Sequence, residues 1–574
     1  MTRDTPIRIG NISGFYGDRA SALGEMLSGP VDYLTGDYLA ELTMLILGRD
    51  RLKDPSTGYA KTFLRALREH LAEARSRGVK IVVNAGGLNP GGLAEQVSAL
   101  ATELGVDTAV GWVDGDDLVS RAADLGVPGA VTANAYLGAF GIADCLNSGA
   151  DIVVTGRVTD ASLTVAPGIA EFGWGREDYD ALAGAVAAGH VIECSAQATG
   201  GNYAFFSRYP VDTLLHPGFP IAELASDGTS VITKHDGTGG IVTVGTVTAQ
   251  LLYEVTGPRY AGPDVTLRLD SVRLEQQGED RVAITGAVGE PPSPTTKVAT
   301  TTLGGFRNEI GFLLTGLDIE RKAELLEAQL RAGLDAEPGE LQFRLARTDH
   351  PDADTEAAAT AVLTAVAWDA DPDKVGRNFS SAAVELVLAT YPGASPTAPP
   401  QKGSPYGVYV PCYIANEQVP HRAHRPDGTV VEIAPPTRTA GIATDESDPG
   451  ATGESVGPTR RVPLGTIVGT RSGDKGGSAN VGAWVESDDA YAWLRGYLTI
   501  ERLRQLLPET TELPVARYEL PHLRAVNFVI EDVLGKGVAH GYRFDPQAKG
   551  IGEWLRSRHA DIPVALLGDA SEGE

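Results

Sequence analysis

The stretch that most restricts the fold lies between Ala150 and Tyr203. An apolar run, Asp151-Ile-Val-Val-Thr155, stops abruptly at Gly156-Arg157-Val-Thr159-Asp160-Ala-Ser162, and a second polar block, Glu193-Cys194-Ser-Ala-Gln197-Ala-Thr199-Gly-Gly-Asn202, follows. Such a run bounded by turn residues reads as a buried strand delivering polar groups at its C-terminal end. Open α/β sheets bind their ligands there. Arg157 can hold a carboxylate or phosphate in a planar fork, while Thr159, Asp160 and Ser162 can cap the next helix or meet a ligand at its N-terminus. Simple capping, with an Arg157–Asp160 ion pair, accounts for the same residues and stays open at this point.

The segments before this strand alternate between strand and helix patterns, which implies a mostly parallel, doubly wound sheet. Ile7 to Ile12, Lys80 to Asn84 and Asp107 to Val113 read as strands; Tyr59 to Ala74 and Asn134 to Leu146 read as helices. Gly86 and Gly87, in the turn after the Lys80 strand, would let backbone approach a ligand, although tight packing explains such glycines equally. Asp114, Asp116 and Asp117 cluster at a strand end. They could hold a divalent metal, but acids at a helix start are the simpler account.

After Tyr203 the texture changes to an α+β pattern extending to about residue 440. Lys234-His235-Asp236-Gly-Thr-Gly239-Gly240 puts a cation, an imidazole and a carboxylate in one bend, the material of general acid–base chemistry. Residues 441–462 are rich in Gly, Pro and acidic side chains and read as a linker. A smaller region over 463–574 follows, with strands and helices that suit a ferredoxin-like α+β sandwich. Its Arg471-Ser472-Gly-Asp474-Lys475-Gly-Gly477-Ser-Ala-Asn480 segment reads as a polar turn able to form an anion nest.

Charge narrows the partners. With 75 acidic against 48 basic residues the net charge is −27, which disfavours nucleic acid and anionic membrane, so an anionic substrate would need local Arg, Lys or helix N-termini. The three cysteines, Cys145, Cys194 and Cys412, are too widely spaced for a disulfide framework. No apolar run approaches the roughly 18 residues of a membrane span, and a cytoplasmic protein is expected.

Four motifs, Thr155-Gly-Arg-Val-Thr-Asp160, Glu193-Cys-Ser-Ala-Gln-Ala-Thr-Gly-Gly-Asn202, Lys234-His-Asp-Gly-Thr-Gly-Gly240 and Arg471-Ser-Gly-Asp-Lys-Gly-Gly477, resemble those of the acyclic terpene utilisation protein A (AtuA) family, in order along nearly the whole chain. Ser195 stands where the pattern has glycine, and Gly477-Ser478 is less polar than the pattern; neither departure removes a charged group. The resemblance implies an N-terminal α/β domain over residues 1–440, a C-terminal ferredoxin-like domain, and a role in acyclic terpenoid breakdown through acyl-CoA intermediates.

The resulting expectation is an enzyme acting on an anionic branched acyl compound by proton transfer, in a hydration or lyase reaction. His235 is expected as acid or base, Asp236 as its orienting partner, and Lys234 or Arg157 as the holder of a carboxylate or enolate, with Asp160 and Glu193 in the same catalytic set. Asn202, Gly86, Gly87, Gly239, Gly240, Arg471, Ser472, Asp474 and Lys475 are the expected substrate contacts. No cofactor is certain, a divalent metal stays open, and a homo-oligomer is expected by analogy. Two alternatives remain: a hydrolase using Ser162 or Cys194 with His235, although no G-x-S-x-G elbow is present, and a non-catalytic binding or assembly protein.

Overall fold

The computed structural model describes residue 3, residues 5–443, residue 448 and residues 457–568. Most of the linker expected over 441–462 lies outside the described residues. The chain forms two compact units: residues 1–301, 409–535 and 547–574 make the first, and residues 302–408 with 536–546 make the second.

The first unit is built on an eleven-stranded sheet. Its parallel centre contains β1 (Ile7–Ser13), β2 (Tyr33–Gly36), β3 (Lys80–Val83) and β4 (Val110–Asp114). Residues Thr132–Ala135 form β5, outside this sheet, and the strand anticipated at Ile152 is β6 (Ile152–Thr155). The central order is β1, β2, β3, β6, β4, with every neighbour parallel. Antiparallel strands extend both edges, beginning with β7 (Pro220–Leu224) beside β1 and β8 (Ser230–Lys234) beyond it.

Alternation along β6 explains why two layers of helices are needed. Ile152 and Val154 enter one apolar core with residues of helices Ala22–Leu27, Lys61–Ser76 and Pro90–Leu104. Val153 enters another, with Phe140–Asn147, Ser162–Phe172 and Tyr179–Ile192. A strand covered on both faces must be apolar at every position, and burying each Val or Ile contributes about 1.5–3 kcal/mol.

The segment read as a helix from Asn134 to Leu146 splits instead. β5 pairs with the first part of the long strand Thr295–Thr315, Val298 opposite Ala135, and the helix begins only at Phe140. Asn134 is drawn into the strand because its side chain donates to the buried Asp116 at 2.7 Å, a tertiary demand that periodicity does not register.

Residues Gly469–Lys475, Ser478–Trp484, Ala525–Ile530 and Val515–Leu520 form a four-stranded antiparallel sheet in that order. The expected polar turn is therefore a hairpin: Arg471 to Lys475 lie in one strand, Ser478 onward in the next, and only Gly476-Gly477 turn. Gly476 has φ +66°, the left-handed conformation that a tight hairpin demands. Ala479, Val481, Ala483, Val526, Phe528 and Ile530 pack with the local helices. The opposite face carries Asn480 and Asn527, both buried. Asn480 Nδ2 donates to the Leu252 carbonyl at 2.7 Å and to Asn527 Oδ1 at 2.9 Å; its Oδ1 accepts from Glu254 N at 2.9 Å. Asn527 Nδ2 donates to the Val255 carbonyl at 3.1 Å. This amide pair fastens the small sheet to residues 252–255.

The second unit, taken by itself, packs the helix Ile319–Gly333 and Phe379 against an antiparallel sheet, around Ile310, Phe312, Leu326 and Leu330. Among the described residues no helix is long and apolar enough to cross a membrane.

Asn480→Ala should strand the Leu252 carbonyl and the Glu254 N–H, each at a cost of about 1–3 kcal/mol. A urea titration is expected to show the earlier midpoint; an unchanged midpoint would mean that the amide pair does not hold this junction.

Candidate functional site

The site grows from the carboxyl ends of the parallel strands, where backbone polar groups have no further strand to pair with. At the end of β1 the Ser13 carbonyl accepts from Asp37 N at 2.9 Å, and after β3 Asn84 Nδ2 donates to Asp37 Oδ1 at 2.7 Å. Asp37 is buried, and that burial, reinforced by the charge of Asp160, pushes its carboxyl well above the usual range.

Arg157, at the end of β6, is buried and held from several sides. Its backbone N–H donates to Asp116 Oδ2 at 2.8 Å, Nη1 to the Leu39 carbonyl at 2.6 Å, and Nη2 to the Tyr136 hydroxyl at 2.9 Å. The guanidinium also lies over the Tyr136 ring, 4.4 Å from its centroid. Asp160 approaches to 3.6 Å, an ion pair too long to be a hydrogen bond. Arg157 Nε and Asp160 Oδ1 are buried without a hydrogen-bond partner. The pairing expected from sequence thus exists but leaves both groups incompletely satisfied.

Glu193 follows directly after the helix Tyr179–Ile192. Its Oε1 is 3.2 Å from Nδ1 of the buried His190, whereas Oε2 has no partner. Burial, then the charges of Asp160 and Glu254, raise the Glu193 carboxyl well above its ordinary pKa. Burial and the Lys475 charge push His190 down to about 4, so the imidazole is neutral near pH 7. Burial and the adjacent Glu193 hold the Cys194 thiol up, away from the thiolate form.

The Gly476-Gly477 hairpin supplies the opposite wall. Arg471 hydrogen-bonds Gln197 Oε1 and lies over Tyr253, 4.0 Å from the ring centroid. Burial, with Glu254 and Glu41 nearby, pushes Asp474 up to about 7. Lys475 acts electrostatically on Glu193, His190, Glu41 and Lys297. The motifs at 155–160, 193–202 and 471–477 therefore meet around one buried set of charges. A small recess beside it, with a cavity volume of about 10 Å³, is lined by Glu41, Met44, Thr132, Tyr136, Arg157, Ala299, Thr301 and Tyr409.

The structure places Lys234-His235-Asp236 apart from this set. His235 is buried with Nε2 2.9 Å from the Met26 carbonyl, and Gly29 leaves room for its ring. Lys234 pairs with Asp280 at 2.9 Å and donates to the Thr238 carbonyl; Asp236 is exposed. None of the groups that perturb His235, which are Arg8, Arg77 and Asp236, belongs to the Arg157 cluster. The imidazole fastens the end of β8 to the helix Ala22–Leu27, so its place in the fold is explained by packing.

Other expected contacts divide likewise. Ser472 Oγ donates to the Lys549 carbonyl and accepts from Gly552 N, locking a helix rather than facing the cluster. Asn202 is exposed at a left-handed turn. Any side chain at Gly86 would strike the Thr155 carbonyl, one at Gly87 the Gly58 carbonyl, and ones at Gly239 and Gly240 the carbonyls of His216 and Thr199. These four glycines serve backbone packing. Ser162 pairs with Thr159 at 2.5 Å. The three aspartates separate: Asp114 binds Arg422, Asp117 binds Arg51, and Asp116 is buried under Arg157 N. Among the described residues no group of three or more His, Cys, Asp or Glu side chains is arranged to hold a metal ion.

Sequence reading passed over Asp37, Glu41, Tyr136, His190, Glu254, Lys297 and Tyr409. Asp37 and Glu41 followed a strand end and carried a signal that could have been read; the others come from a helix interior, a loop and strands with no motif around them.

An α/β sheet whose strand ends open on buried acids and cations, closed by a small ferredoxin-like domain, defines the class. The chain belongs to the acyclic terpene utilisation family protein AtuA: that family model matches residues 7–425, and the AtuA ferredoxin-like domain matches residues 462–561. No curated protein and no solved structure matches the chain.

Burial is the main reason the Asp116 carboxyl rises to about 7, against the lowering effect of its bonds from Arg157 N and Asn134. A raised acid binds its proton more tightly folded than unfolded, so its contribution to stability is full below about pH 4 and is lost as pH rises towards 7. Asp116→Asn should flatten that part of the stability-versus-pH curve, measured by urea unfolding between pH 4 and 8. An unchanged slope would show that Asp116 titrates normally.

Proposed function

We propose that this AtuA-family protein is an enzyme of acyclic terpenoid breakdown that acts on an anionic branched acyl compound, a carboxylate or acyl-CoA, by hydration or lyase chemistry. The observation that carries the reading is the set of buried polar atoms left without partners around Arg157, namely Arg157 Nε, Asp160 Oδ1, Glu193 Oε2 and the Tyr409 hydroxyl. Protein interiors rarely tolerate such groups unless something else satisfies them.

In this reading Arg157, with Lys475, receives the anionic head, since a guanidinium already held by Leu39 and Tyr136 loses little freedom on binding. Glu193 is the proton donor and acceptor in place of His235. A carboxyl raised by burial keeps its proton into the range where it can give it to a leaving oxygen, then take one from a carbon or a water. The neutral His190 ring lies beside it, Nδ1 3.2 Å from its Oε1. Met44, Tyr136, Ala299 and Tyr409 give the recess an apolar wall, and a short branched chain would enter as these side chains move apart.

Glu193→Gln preserves shape but cannot exchange a proton, and is expected to lower kcat by about 10²–10⁴-fold with little change in KM. Arg157→Lys should chiefly raise KM. Both are read by mass-spectrometric conversion of branched acyl-CoAs and free acids at constant protein concentration. Conversion undiminished in Glu193→Gln would remove Glu193 from the chemistry.

A further inference from the structure

Lys297 is a cation of this neighbourhood that the reading above does not use. It sits on the first part of the strand Thr295–Thr315, and its backbone carbonyl accepts from Tyr136 N at 3.0 Å, so its position is fixed by the β5 pairing. The ammonium lies over two rings, 5.0 Å from the centroid of Tyr136 and 5.6 Å from that of Tyr409. Those rings line the recess beside Arg157. Lys297 has no ion-pair partner within 4 Å among the described residues, unlike Lys234, which is tied to Asp280. A half-buried ammonium with no carboxylate against it loses hydration without an ion pair to offset the loss.

From this geometry we propose that Lys297 is a covalent catalyst: its amine forms an imine with the ketone or aldehyde carbonyl of a short-chain oxo-carboxylate whose carboxylate rests on Arg157. The proposal deepens the lyase reading and takes its substrate class from it. The nitrogen lone pair makes the N–C bond while the carbonyl π pair moves to oxygen. Nitrogen yields a proton, oxygen gains two and departs as water, and carbon and nitrogen close the double bond. Net, a carbonyl, a neutral amine and one proton give a protonated imine and water. The protonated imine then accepts the electron pair of the bond from its α-carbon to a hydroxyl-bearing carbon: Glu193, having given up its proton, takes the hydroxyl proton and that fragment leaves as an aldehyde or ketone. The enamine left behind regains a proton at carbon, and water hydrolyses the resulting imine to the second carbonyl product and the free amine.

The surroundings suit each step. Burial first, and the Lys475 charge second, push the Lys297 amine down to about 8, with Glu41 and Asp160 pulling it back up and Arg157 adding to the fall. A substantial neutral fraction is therefore present in mildly alkaline solution, whereas an ordinary lysine at the same pH is roughly a hundredfold less deprotonated. The Tyr409 hydroxyl, buried and unpartnered, and the acid Glu193 are the nearby proton donors for the departing oxygen.

The test incubates the full chain with 4-oxopentanoate and cyanoborohydride at pH 8 and maps the reduced adduct by peptide mass spectrometry. Labelling of Lys297 about tenfold above the surface lysines is expected, because the neutral amine is the nucleophile, and it should vanish in Lys297→Arg and persist in Lys53→Arg, a change at an exposed lysine outside the site. Labelling spread evenly, or absent from Lys297 while surface lysines react, overturns the proposal without needing any variant to fold. Conversion of an acyl substrate at the wild-type rate by Lys297→Arg also overturns it, yet leaves the acid–base reading standing. Selective labelling by a protein that converts no acyl compound would do the reverse.

Discussion

The withdrawal of opposed charges from water around Arg157 is the constraint on which the rest of this structure depends. A guanidinium and several carboxyls cannot be buried unless geometry offsets their lost hydration, and removing one partner leaves another uncompensated. The protein meets the demand with backbone carbonyls, ring faces and carboxyls that hold their protons. Leu39 and Tyr136 take up Arg157, while Asp37, Glu193 and Asp474 are raised. Polar pressure of this kind costs stability, and natural proteins accept that cost chiefly where chemistry or binding is performed.

Much of the fold was legible because its strongest element obeys a simple rule. Ile152 to Val154 must be apolar on both faces, and that alone places helices above and below and polar groups beyond Thr155. Three of the four motifs meet at the cluster because a strand end, a helix end and a two-glycine hairpin are places where sequence dictates backbone direction. Legibility failed where distant contacts decide. Asn134 belongs to a strand because Asp116 needs its amide, and no local pattern carries that information.

The Lys234-His235-Asp236 bend shows the limit from the other side. Residue types suited to acid–base work were read as chemistry, but the ring faces Met26 and the ammonium faces Asp280. Conversely, Lys297 and Tyr409 stand in stretches with no motif, and they are brought to the cluster by the strands that pair with the long strand and by the turn at Gly476, next to Tyr409. Composition names the candidate chemistries; topology chooses among them.

The Asn480–Asn527 pair carries one more consequence. In a small domain an open sheet face is the surface by which it would usually recognise something else, whether a ligand, a nucleic acid or another subunit. Here that face is occupied by residues 252–255 of the same chain. The domain thus spends its broad face on packing within its own unit and presents one hairpin to the charged cluster. Divergence among related chains in what they accept would then be expected to accumulate in a handful of positions around Arg471 to Lys475, while the amide pair beneath them stays fixed.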